Sequence, residues 1–185
     1  MISRILLVAV LSLTFLATSC KKAPNDTLPE DELSIGTLQF KADGELHVFT
    51  GVLGIVAVDT IFSNIKTFSI EAFDISLGKE FKIYFDFTNA PFPQAGVDYK
   101  TTGPDCEPLP TSTETCPLLA FTPGSQASHQ YTNLTEGAHS TITFLELDAS
   151  GNGVAKGAFS GTLVDQNDAS ASIEVIEGLF HVSVH

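Results

Sequence analysis

Glu80-Phe81-Lys82-Ile83-Tyr84-Phe85-Asp86-Phe87 decides the fold class. Phe81, Ile83, Phe85 and Phe87 fall on one side of an extended chain; Glu80, Lys82, Tyr84 and Asp86 fall on the other. A period of two with one polar face predicts a strand with one side on a core and the other in water. The pattern spreads both ways from there. Upstream, residues 67–75 alternate through Phe68, Ile70 and Ala72. Residues 51–61 form a Val/Ile-rich run whose glycines favour a buried or bulged strand over a helix. Residues 36–42 and 45–50 flank Asp43-Gly44, a pair that accepts positive φ at both positions and so makes a two-residue hairpin turn. Downstream lies a proline-rich middle in which 97–100 and 118–122 read as short strands. Residues 139–148, 154–165 and 171–184 then form a three-strand meander. Its middle strand carries Gly157, Phe159, Gly161 and Leu163 on one face. Its last strand passes a bulge at Gly178, then turns Phe180, Val182 and Val184 inward and His181 outward. The fold class is therefore all-β, an antiparallel β-sandwich or meander barrel of about 8–10 strands.

The N-terminus follows a different rule. Arg4 precedes an apolar run from Ile5 to Leu16, and Leu16-Ala17-Thr18-Ser19-Cys20 is followed by Lys21 and Lys22. A basic start, about a dozen apolar residues and a small-residue site describe a secretory signal. The run is shorter than the roughly 20 residues a membrane-spanning helix needs. With Cys20 placed directly after Thr18-Ser19, the site resembles the lipobox of bacterial lipoproteins. The resemblance implies cleavage before Cys20 and acylation of that cysteine, with palmitate among the acyl chains. The alternatives are a plain secretory signal with an incidental cysteine and an uncleaved membrane helix. The division that follows is a cleaved signal helix over 1–19, a flexible tether over 20–33 and one all-β domain over 34–185. The expected address is the cell envelope, on the outer membrane, facing the periplasm or exposed at the surface.

Losing Arg4 with the signal takes the formal net charge from −13 to −14. Such a surface repels phosphates, which excludes a nucleic-acid partner and disfavours docking on anionic lipid. The membrane contact expected from sequence is the lipid anchor itself. Of three cysteines, Cys20 is assigned to lipid, which leaves Cys106 and Cys116. In an oxidising compartment such a pair bonds, and here it would cinch an irregular loop. A zinc pair is the weaker reading, because neither a second cysteine pair nor a histidine lies close by in sequence.

The C-terminal Gly157-Ala-Phe159-Ser-Gly161-Thr-Leu163, followed by Ile173-Glu-Val175-Ile-Glu177-Gly178-Leu-Phe180, is similar to the ending of small all-β lipoproteins of the Bacteroidota. The resemblance also takes in the lipobox and Gly36-Thr-Leu38-Gln-Phe40-Lys-Ala42-Asp-Gly44. It implies an all-β lipoprotein domain without known catalytic residues.

Asp148-Ala-Ser150-Gly-Asn152-Gly153 has the oxygens of half a calcium loop, but Phe159 stands where the bidentate Glu would be, and a hairpin turn explains the same letters. The histidines His47, His129, His139, His181 and His185 show no metal-ligand spacing. Ser160 sits one position late for a nucleophile elbow. No cofactor fingerprint is present, and no catalytic residue is assigned. Sugars stack on exposed rings, so Phe92, Tyr99 and Tyr131, with the Cys106–Cys116 segment, make the candidate binding loop in the irregular middle. The expected role is a non-enzymatic binding or accessory module with a glycan or envelope-protein partner. The alternatives are a β-barrel carrier of a small apolar ligand and a hydrolase with an unrecognised site.

Overall fold

The computed structural model describes residues 33–59, 65–106, 115–124, 129–150 and 152–185. The signal segment, Cys20 and the tether up to residue 32 lie outside the described residues, as does 107–114 between the two later cysteines.

The described chain is all-β. Eleven strands follow one another: β1 Thr37–Ala42, β2 Glu45–Thr50, β3 Leu53–Asp59, β4 Ile65–Asp74, β5 Lys79–Asp86, β6 Asp98–Thr102, β7 Cys116–Thr122, β8 Tyr131–Thr132, β9 His139–Leu147, β10 Val154–Asp165 and β11 Ser172–Val184. Strand β5, which carries the alternating residues 80–86, pairs with β4 in register from Thr67 opposite Asp86 to Asp74 opposite Lys79. The Asp43-Gly44 turn has φ of 48° and 85°, the positive pair its sequence requires. The sequence reading missed β8, ran some strand ends one to two residues long, and stopped two residues short at the start of β4, the end of β6 and the start of β7.

Sandwich and barrel turn out to be combined. One layer runs β2-β1-β11-β10-β9-β6 and the other runs β3-β4-β5-β7-β8. Two corners join them. The end of β11 pairs in parallel with β3 through Ser183–Leu53 and Val184–Gly54, and the end of β10 pairs with β8 through Val164–Thr132 and Asp165–Tyr131. Seven strands thus close on themselves, leaving β2 and β6 as terminal strands of the long layer.

Phenylalanines fill the space between the layers. Phe40 of β1 lies 4.5 Å from Phe81 of β5, and Phe81 lies 5.0 Å from Phe159 of β10. Phe144 of β9 meets Phe85 of β5 at 5.4 Å and Phe68 of β4 at 5.6 Å. Rings that touch across the midplane leave the apolar-carrier alternative without support from this part of the interior.

The glycine-rich ending has a packing explanation. Gly157 stands opposite Phe180, and Phe159 stands opposite Gly178. A Cβ on Gly157 would fall 2.5 Å from the Phe180 ring; one on Gly178 would fall 2.5 Å from the Phe159 carbonyl and 2.6 Å from its ring. Each ring lies over the glycine of the neighbouring strand, so both phenylalanines pack flat against backbone. The extra residue lies one place ahead of Gly178: Ile176 and Glu177 together face one residue of β10, and Glu177 adopts φ of 53°. That insertion shifts the inward positions from Ile173 and Val175 to Gly178, Phe180, Val182 and Val184. A second irregularity, at Leu145 of β9, leaves that side chain exposed.

His181 points away from the core, and it also ties down the start of the domain. Its Nδ1 donates to the carbonyl of Leu33 at 2.8 Å, and Leu33 is itself buried. The folded unit therefore includes Leu33, one residue before the expected boundary.

Candidate functional site

The three rings chosen from sequence separate into two places. Tyr99 of β6 is half-buried, edge-on to Phe85 at 5.6 Å and to Phe144 at 6.2 Å, and its hydroxyl accepts from the amide of Gln94 at 2.7 Å. Phe92 packs edge-on to Phe87 at 4.8 Å and to Phe68 at 6.4 Å. Both rings plug the same end of the sandwich. Cys116, buried and disulfide-bonded, opens β7 at this end opposite Asp86. Cys106 closes a short 3-10 turn, Gly103–Cys106, directly after β6. Tyr131 stands apart from them, opposite Phe121 near the other end of β7. The structure brings Phe92, Tyr99 and Cys116 together and leaves Tyr131 in a different setting.

That second setting is polar and highly charged. Phe121 forms its floor. On one side, His47 stacks on Phe40 at 5.1 Å and meets Phe121 edge-on at 5.1 Å. Lys79 Nζ donates to His47 Nδ1 at 3.3 Å and reaches Glu45 at 3.3 Å. An ammonium can only donate, so His47 carries its proton on Nε2. On the other side, His129 stacks on Tyr131 and donates from Nδ1 to Asp165 Oδ2. The Asp165 side chain is fully buried, and its second oxygen accepts from the amide of Asn167 at 2.8 Å. These bonds, the Asn167 amide first and His129 after it, hold the Asp165 carboxyl below the usual carboxylate range. The half-exposed His129 thus has its ring held through Nδ1. Burial, together with Asp165, Asp43 and Asp168, pushes the Tyr131 phenol up, so its hydroxyl remains a donor at neutral pH. The Tyr131 hydroxyl, the Lys79 ammonium and the His129 imidazole equip this end to recognise a polar ligand.

Other acidic side chains are committed to turns. Asp148 accepts from the Ser150 amide at 2.9 Å, Asp74 from the hydroxyl of Ser76 and the amides of Leu77 and Ser76, and Asp168 from the hydroxyl and amide of Ser170. These bonds lower all three carboxyl groups. Asp148 thereby does the work of a turn former in the segment whose letters resemble half a calcium loop. Among the described residues, no group of three or more His, Cys, Asp or Glu is placed to hold a metal ion.

The polar end was illegible in sequence. His47 and Lys79 are 32 residues apart, and His129 and Asp165 are 36 apart. No spacing rule connects such pairs. The usable hint was weaker: Asp165 ends a strand at an inward-facing stretch, where an acid needs a partner.

His47 supplies a pH test. Burial, reinforced by Lys79 and opposed by Glu45, lowers its pKa below the ordinary value of about 6.5. The unfolded chain then binds this proton more readily than the folded one. Its contribution is fully present above about pH 6.5 and is lost as pH falls toward the lowered folded value. The lowered carboxyl groups of Asp74, Asp148, Asp165 and Asp168 add a separate loss below about pH 4. We expect the melting temperature to fall in two stages on acidification, and His47→Phe, which keeps a ring against Phe40, to flatten the upper stage alone. An unchanged upper stage in His47→Phe would assign it to another group.

Comparison of the chain with protein-family models, with curated proteins and with solved structures found no match in any of the three.

Proposed function

We propose that this chain is an exported lipoprotein, held in the cell envelope at the outer membrane through an acylated Cys20, whose β-sandwich is a non-enzymatic binding or accessory module. The disulfide at Cys116 carries the reading. Such bonds persist in oxidising compartments, which a secretory signal reaches. With Cys20 taken by lipid, Cys106 is the one remaining partner among the three cysteines, so anchor and bridge support each other. The ring-filled interior between the layers supports recognition at the surface over carriage of an apolar ligand within. The Phe121 end, with His47, Lys79, His129 and Tyr131 around it, is the surface whose donors and acceptors suit a glycan or a polar segment of an envelope protein.

Cys20→Ala tests the anchor. We expect the variant to leave the membrane fraction, or to accumulate with its signal uncleaved, and to lose metabolic labelling by fatty acid. Labelling that persists in Cys20→Ala would overturn the assignment.

A further inference from the structure

We propose that the domain rests on the bilayer through an apolar face made by Ile35, Val48, Leu53, Phe73 and Ile75, an inference that rests on the lipoprotein reading above. All five side chains are exposed, Ile75 to 95%. They belong to one neighbourhood. Val48 and Phe73–Ile75 line opposite sides of a shallow groove of about 320 Å³ between β2 and the end of β4. Leu53 stands opposite Glu71 on β4, two residues from Phe73 on the same outward face. Ile35 joins them through its neighbour: the carbonyl of Gly36 accepts from the amide of Val52 at 3.0 Å, directly before Leu53. A run of exposed aliphatic and aromatic groups of this kind marks a contact surface.

The occupant follows from where the chain enters the fold. Twelve residues, 21–32, separate Cys20 from Leu33. They span at most about 40 Å when extended. Leu33 is fixed by His181, and Ile35 follows it on the rim of the apolar face. An anchor at Cys20 therefore keeps this face within reach of lipid, and a tethered surface outcompetes a dissolved partner by effective concentration. The carboxylates bordering the face are already engaged: Glu71 with Lys82 at 2.7 Å, and Asp74 with the amides of its own turn. Thr50 shares the groove with Val48, Phe73 and Ile75, so the face mixes polar and apolar groups, as suits a zwitterionic interface; the strongly acidic remainder of the chain disfavours an anionic one.

The chain contains no tryptophan, so a single introduced one is a clean reporter. Mature protein purified from membranes, carrying Ile75→Trp, would be placed in phosphatidylcholine vesicles with and without brominated acyl chains. Val97→Trp, beside the far terminal strand β6, is the control, and Phe73→Trp is the second reporter should Ile75→Trp fold poorly. We expect brominated lipid to quench the reporter about two-fold, as for a side chain seated at the acyl boundary, and to leave Val97→Trp unchanged. Acylated protein whose Ile75→Trp and Phe73→Trp are both unquenched would overturn the docking face alone. The same outcome accompanied by a doubled mass would assign the face to a second copy of the chain. Mass spectrometry showing no acyl group on the preparation would overturn the anchor and this inference with it.

Discussion

Phe180→Ala is expected to destabilise the domain by about 3–5 kcal/mol, the range for removing a core aromatic. The side chain is fully buried, and its ring meets Phe144 at 5.6 Å and Phe159 at 6.5 Å while covering Gly157 on the neighbouring strand. Truncation leaves a void bounded by rings from both β9 and β10, and a glycine with no side chain cannot collapse into it. The neighbouring substitution, His181→Ala, removes one partly exposed hydrogen bond to Leu33 and is expected to cost about 1 kcal/mol. Urea unfolding of both variants reads the difference directly. At roughly 2–4 °C per kcal/mol for a domain of this size, Phe180→Ala alone should lower the melting temperature by about 10 °C. Equal losses would contradict the inversion of strand parity that the bulge at Ile176–Glu177 produces.

Asn133→Ala is expected to cost about 2–4 kcal/mol by leaving buried polar groups unpaired. Asn133 is fully buried just after β8. Its Oδ1 accepts from the amide of Leu119 at 2.9 Å, and its Nδ2 donates to the carbonyl of Pro117 at 2.8 Å and to Ser140 Oγ at 2.7 Å. Strand β8 pairs with β7 only at Ala120 and Phe121. Beyond that point the Asn133 side chain supplies bonds to β7 that a longer strand would have made. Thr101 of β6 donates to the same Pro117 carbonyl at 2.9 Å, so that oxygen keeps one partner in the variant. The Leu119 amide loses its side-chain acceptor. Asn133→Asp should be worse than alanine, because it turns an acceptor toward the Pro117 carbonyl and buries a charge. A loss below about 0.5 kcal/mol, the value for an ordinary surface change, would show that water or backbone replaces these bonds.

Which parts of this could be read before folding follows from the range of the forces. Alternation is local: Phe81, Ile83 and Phe85 declare their face through backbone geometry alone, and all three are fully buried. Asp43-Gly44 declares its turn because few residues accept positive φ. The bulge near Gly178 was legible to within one residue, since the parity of apolar positions changes there. The rings were harder. Phe92 and Tyr99 lie in irregular segments, and only the assembled sandwich shows them packed on Phe87, Phe85 and Phe144. Asn133, in Thr132-Asn133-Leu134-Thr135, reads as an ordinary polar turn. Its role exists only because β8 stops early beside a buried stretch of β7.

The sequence by itself determined most of the strands, inward faces such as that of β5, and the Asp43-Gly44 hairpin, because each is set by neighbours within a few residues. The tertiary structure alone decided how the layers close at β3 and β8, and which charges meet around Phe121. It also decided where the exposed apolar residues collect near the entry of the chain. Those depend on contacts between residues tens of positions apart, and their energies arise only when packing removes water from both partners at once.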